Sequence, residues 1–170
     1  YKTGRNLYGE YFQFSGTDSE RAYDLQQMID DPEVKAIFCA RGGYGMIRIL
    51  ELVDFKGFKK SPKWIAGFSD VTVLHAYLNK SIKTESLHSI MPVNYIPGNT
   101  DYAVESLRKA LFGENLSYNF KSNQNNISGV VKGELIGGNL SLLYSLNGTN
   151  MFPEMKNKIL LIEDVDEYLY

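Results

Sequence analysis

The chain has 170 residues, a formal net charge of -2, and 44% hydrophobic against 22% charged residues. It is long enough for one domain or two small ones and apolar enough to bury a core, which excludes a disordered polymer, and it lacks the basic footprint of a nucleic-acid binder. Its single cysteine, Cys39, permits no internal disulfide and no multi-cysteine metal site, and no apolar run approaches the roughly 18 residues of a membrane span.

In chain order, Ser15-Gly16-Thr17-Asp18-Ser19-Glu20 is a helix-start signal. Ala22, Leu25, Met28 and Ile29 then recur at helical spacing until Asp30-Asp31-Pro32 stops the run. Residues 34–40 are short, mostly apolar and rich in β-formers, the pattern of a buried strand. The glycine loop Arg41-Gly42-Gly43-Tyr44-Gly45 leads into a second helical pattern of Ile47, Leu50, Leu52 and Val53. Trp64-Ile65-Ala66 reads as another strand, turning at Gly67-Phe68-Ser69-Asp70 into a helix with Val73, Leu74, Tyr77 and Leu78. Strands and helices alternating over short connections predict an α/β fold with a partly parallel sheet and flanking helices.

A helix is expected from about Thr100 to Leu111, followed by an Asn- and Ser-rich connection over 118–128. The expected division is an N-terminal α/β domain over 1–117, a linker over 118–128, and the start of an incomplete, mixed β-rich second domain over 129–170. The chain opens on Tyr1 rather than Met and closes on Tyr168-Leu169-Tyr170 directly after a strand-like run, the pattern of an internal piece of a longer protein.

Three places could carry chemistry. Ser69 lies on a tight strand-to-helix turn, where the N–H groups of a helix start can stabilise a developing oxyanion; the competing reading is that Ser69 or Asp70 simply caps the helix. The loop 41–45 lies at the end of a strand, the usual ligand position in open α/β sheets. Its glycines allow close backbone approach to a ligand and equally a tight turn; Arg48 stands where a dinucleotide fingerprint needs its third glycine. Glu163-Asp164-Val165-Asp166-Glu167 brings four carboxylates to a strand end, where they fit a histidine-orienting acid, a hard-cation site or a solvated terminus. His75, six residues past Ser69, lies about 240° around the helix and reads as packing. His88 is isolated, and the His-x-x-x-His spacing of a zinc site is absent.

Taken together the motifs resemble the serine LD-carboxypeptidase family, which includes muropeptide LD-carboxypeptidases and microcin-immunity peptidases. The resemblance rests on Ser15-Gly16-Thr17-Asp18 with Arg21-Ala22 and Asp24-Leu25, on residues 39–45, on Gly67-Phe68-Ser69-Asp70-Val71-Thr72, on residues 135–143, and on Ile162-Glu163-Asp164-Val165, all in family order. It implies Ser69 as nucleophile, the backbone amides of Gly43 and Asp70 as oxyanion donors, and Glu163 as the acid that orients a catalytic histidine. Arg41, Gly42, Tyr44, His88 and Asn139 would bind substrate. In the family that histidine follows well after the Glu163 motif; neither His75 nor His88 matches it, so this stretch alone is expected to be inactive. Leu87-His88-Ser89-Ile90-Met91 departs from the family's usual His-Gly-Pro. The implied activity is acyl-enzyme hydrolysis of the amide between an L-centre and a terminal D-amino acid, as in D-alanine of a murein tetrapeptide, with no metal or organic cofactor. The implied setting is a bacterial cytoplasmic protein of murein recycling that acts on a small muropeptide, has no membrane role and is often a homodimer. The alternatives are a microcin-immunity-type peptidase acting on a peptidyl-aminoacyl nucleotide analogue, with Tyr44, Phe68 and Tyr95 available for stacking, and a non-catalytic module binding a small anion.

Overall fold

The structure, a computed structural model, describes residues 1–165. Helix α1 (Asp18–Asp30) starts at a capping box: Thr17 Oγ1 accepts the Glu20 N–H, and Glu20 returns a carboxylate to the Thr17 N–H. It buries Ala22 and Ile29. Its C-terminal carbonyls are satisfied from a distance by Lys63, whose ammonium donates to the Met28 carbonyl at 2.8 Å and to that of Asp31.

Strands β1 (Ala36–Phe38), β2 (Trp64–Gly67) and β3 (Leu87–His88) form a parallel sheet in the order β1-β2-β3, with Ile37 opposite Ile65 and Gly67 opposite His88. The strand expected over 34–40 is therefore shorter, and it is not buried throughout. It lies at the sheet edge, and Phe38 remains 44% exposed. The central strand β2 is instead the buried one, from Ile65 to Gly67. Between β1 and β2 the second helical pattern divides into α2 (Met46–Ile49), a 3-10 turn over Leu50–Leu52, and the unanticipated α3 (Lys56–Lys60).

After β2 the chain passes through a 3-10 turn (Ser69–Val71) into α4 (Thr72–Tyr77), which is prolonged by a π turn over Leu78–Ile82. Val73, Leu74 and Leu78 are fully buried with Phe58 and Ile65. Each such side chain contributes about 1.5–3 kcal/mol, so this helix anchors the domain. Helix α5 (Asp101–Leu111) has the expected bounds and no fully buried residue. Residues 115–134 contain no helix or strand and are exposed throughout.

In the second part, β4 (Leu135–Asn139), α6 (Leu140–Leu146) and β5 (Ile159–Glu163) make a β-α-β unit with parallel strands, Asn139 opposite Glu163. Where the sequence pattern predicts a mixed, β-rich arrangement, the described residues contribute this single parallel unit. Leu146 is fully buried in the same core as Leu74 and Phe58, so α6 docks on α4.

Candidate active site

The site is assembled at the C-terminal ends of β1 and β2. Ser69 adopts φ 59° at the turn out of β2. A left-handed backbone at a residue with a Cβ costs about 1–2 kcal/mol, and Ser69 sits half-buried at this strand-to-helix corner. Ser69 is not the cap of this turn, because the N-cap position falls on Phe68. Gly42 lies against it: a Cβ built there would come within 3.1 Å of both Cβ and Oγ of Ser69. Gly43, with φ 148°, borders open space, since nothing lies within 4 Å of where its Cβ would be. The first N–H groups of a helical turn have no intrahelical acceptor, which leaves that of Asp70 available beside the Ser69 side chain.

Asp70 itself is a finding that the motif reading missed. Its side chain is 6% exposed and does not cap its own helix. Instead Oδ2 accepts the N–H groups of Gly45 at 2.9 Å and Met46 at 2.8 Å, closing the start of α2 from across the loop. The available signal was that α2 begins on glycine, without a capping side chain of its own. Burial pushes the Asp70 carboxyl up, and the N–H groups of Met46 and Gly45 and the Arg21 charge oppose that shift. Burial pushes the Cys39 thiol up to about 12, with the Asp70 charge adding to it, so the thiol is protonated at neutral pH.

His75 packs as expected. It is 8% exposed, with Nε2–H donating to the Gly67 carbonyl at 2.9 Å and Nδ1 accepting from the Ser86 hydroxyl at 2.8 Å; the tautomer follows from the carbonyl's being an acceptor only. Burial, with a minor push from His88, lowers its pKa to about 4 despite the Gly67 bond, so it is neutral at pH 7. The His88 ring lies between Phe68 and His75, with centroids at 6.0 and 6.3 Å. Desolvation lowers the His88 pKa, and the negative charge of Glu163 opposes it.

Glu163 ends β5 as predicted. Its Oε1 is shut off from solvent and has no hydrogen-bond partner among the described residues. The rest of the acidic run divides: Asp164 caps α6, accepting the Ser141 N–H at 3.0 Å and the Ser141 hydroxyl at 2.9 Å, while Asp166 and Glu167 lie outside the described residues. Among the described residues no group of three or more His, Cys, Asp or Glu side chains is placed to hold a metal ion.

The residues expected to bind substrate fare differently. Arg41 and Tyr44 are exposed on the glycine loop, Tyr44 at 73%. Asn139 is committed internally: its Oδ1 accepts the Leu142 N–H at 3.1 Å, its Nδ2 donates to Asp164 at 3.2 Å, and its N–H donates to Thr72 Oγ1 at 3.0 Å. His88 opens onto an apolar groove of about 430 Å³ lined also by Phe68, Leu87, Ile90, Leu107 and Leu116. Ser69 is not in its lining; the groove begins one residue earlier, at Phe68.

Residues 1–89 match the LD-carboxypeptidase N-terminal domain and residues 132–170 the LD-carboxypeptidase C-terminal domain. A probable murein peptide carboxypeptidase of Bacillus subtilis (strain 168) is 35% identical over 180 residues, covering 99% of this chain and 54% of the relative. The microcin C7 self-immunity protein MccF of Escherichia coli is 30% identical, over 90% of this chain and 54% of its own length. Among solved structures, muramoyltetrapeptide carboxypeptidase from Oxalobacter formigenes superposes with a TM-score of 0.78 at 26% identity, covering 94% of this chain and 55% of that one. The chain thus spans about half the length of the curated relatives it matches.

Proposed function

The chain belongs to the LD-carboxypeptidase family, and from that premise we propose that it carries the nucleophile and the orienting acid of a serine hydrolase that removes a terminal D-amino acid, such as D-alanine, from a murein tetrapeptide. The observation that carries the reading is Ser69, held in a left-handed conformation at the end of β2 with Gly42 against its hydroxyl. A serine that served only as a cap would gain nothing from that strain. Residues 1–117 would hold the nucleophile and residues 129–170 the acid, joined through 118–128.

In the proposed reaction Ser69 Oγ attacks the carbonyl carbon of the L-centre while its proton passes to a histidine, and the new oxyanion accepts from the N–H groups of Gly43 and Asp70. The histidine then protonates the departing amine, the C–N bond breaks, and an ester to Ser69 remains. Water attacks that ester with the same histidine as base, regenerating Ser69. Glu163 would accept the other ring N–H of that histidine, and its buried, unpartnered Oε1 fits such a donor. By family resemblance the histidine follows the Glu163 motif. His88 feels the Glu163 charge, but no hydrogen bond joins the two among the described residues. No helix among the described residues is long and apolar enough to cross a membrane, and a small soluble muropeptide is the substrate class we favour.

A microcin-immunity-type activity is the second reading, favoured by the similarity to the E. coli self-immunity protein and by Phe68 in the groove wall. The experiment is to treat the intact gene product with a serine-reactive phosphonate, map the adduct, and compare D-alanine release from a murein tetrapeptide with cleavage of a peptidyl-aminoacyl nucleotide analogue. Modification at Ser69 with loss of D-alanine release is expected. Activity that survives complete modification of Ser69 would overturn the assignment, and preference for the nucleotide analogue would select the second reading.

A further inference from the structure

The peptide of Gly45 is gripped from both sides by opposite charges that come from two other elements. Asp70 Oδ2 takes the N–H groups of Gly45 and Met46, and Arg21 Nη1, from α1, donates to the Gly45 carbonyl at 3.0 Å. Arg21 is held in turn by an ion pair with Asp18 and by the Phe14 ring, which lies 4.7 Å from its guanidinium carbon. A side chain at Gly45 would have to displace Arg21: a Cβ there would lie 3.0 Å from the Arg21 guanidinium carbon and 3.3 Å from the Phe14 ring.

The loop needs such a grip. Three of its five residues are glycine, and α2 behind it is a single turn with no cap of its own. Nothing in the local sequence would keep the Gly42–Gly43 peptide beside Ser69. Asp70 directly follows Ser69, so one residue links the nucleophile turn, through its backbone, to the glycine loop, through its carboxylate. Bonds to an ionised carboxylate are about twice as strong as neutral ones. Oδ1 of Asp70 is buried without a partner among the described residues, a cost tolerated in holding this arrangement.

We propose that the Asp70 carboxylate, backed by Arg21, is a positioning device that locks the glycine loop against the Ser69 turn, so that the N–H groups of Gly43 and Asp70 converge on one oxyanion. This rests on the reading of Ser69 as nucleophile. Asp70 and Arg21 act here through the loop and are positioning residues.

The test compares Asp70→Ala, Asp70→Asn and Arg21→Gln with Ser69→Ala in the intact gene product. D-alanine release from a murein tetrapeptide is normalised to active sites titrated with phosphonate, with Tm measured alongside. Displacing a loop by about 1 Å costs roughly a hundredfold, so Asp70→Ala should lower kcat by about that factor with KM within about threefold. Asp70→Asn keeps an acceptor oxygen and should recover kcat to within about tenfold of wild type, and Arg21→Gln should lower it about tenfold. A purely structural Asp70 would lower Tm and the titrated fraction but leave kcat per site unchanged. Should Asp70→Ala not fold, wild-type kcat per site in both Asp70→Asn and Arg21→Gln overturns the proposal. If Ser69→Ala retains turnover, the nucleophile reading fails and this proposal with it; if Ser69→Ala is inactive while the Asp70 and Arg21 variants match wild type per site, only the positioning role fails.

Discussion

Ser69 stands at φ 59°, where glycine would rest without penalty. Ser69→Gly should therefore stabilise the fold by about 1 kcal/mol in urea unfolding while turnover falls by at least about 10³-fold. A less stable variant, or one that keeps its activity, would contradict the strained-nucleophile reading. His75 permits a second test. Its folded pKa, about 4, lies below the unfolded value of about 6.5, so the fold favours the neutral ring. That contribution is fully present above about pH 6.5 and is lost as pH falls toward 4, about 2 kcal/mol of it by pH 5. Unfolding free energies at pH 8 and pH 5, compared between wild type and His75→Gln, should isolate this slope, because every other titratable side chain is common to both proteins. Equal slopes would mean that His75 is not buried neutral.

At the scale of elements, the contact that brings β4 to α4 is glycine against threonine. Gly138 has φ 139°, and a Cβ on it would lie 2.5 Å from Thr72 Oγ1, where the Asn139 N–H already bonds. Gly138→Ala should cost about 2–3 kcal/mol through strain and overpacking, lower the urea midpoint, and lower kcat as β4 and its partner β5 move away from α4. An unchanged midpoint would mean that the strand docks elsewhere. The elements themselves were unevenly legible. The α1 capping box, the turn after β2 and the bounds of α5 were readable because each is fixed by residues within a few positions. Burial was not: the spacing that predicts α5 places Ala103, Leu107 and Ala110 toward an open groove and not into the core. Periodicity records that a face is apolar without recording what covers it.

For the whole molecule, the three central residues of β5 are exposed, Leu160 at 42%, Leu161 at 37% and Ile162 at 50%, on a strand paired only with β4 among the described residues. An apolar strand with a free edge is a template for pairing with another chain. The 170-residue chain by itself should therefore associate as its concentration rises, and Leu161→Lys with Ile162→Lys should shift it toward monomer in sedimentation equilibrium. A monomer at all concentrations would contradict this. The sequence by itself determined the partly parallel α/β plan, the turn after β2 and the family, because strand patterns, turn residues and motifs are local or ordered along the chain. Only the tertiary structure decided that Asp70 clasps the start of α2 and that Asn139 is an internal cap. Asp70 meets Gly45 across 25 positions, and the Asn139 N–H meets Thr72 across 67. Which carboxylate finds which amide depends on how the elements pack, and the spacing of residues along a single element carries no record of a partner on another.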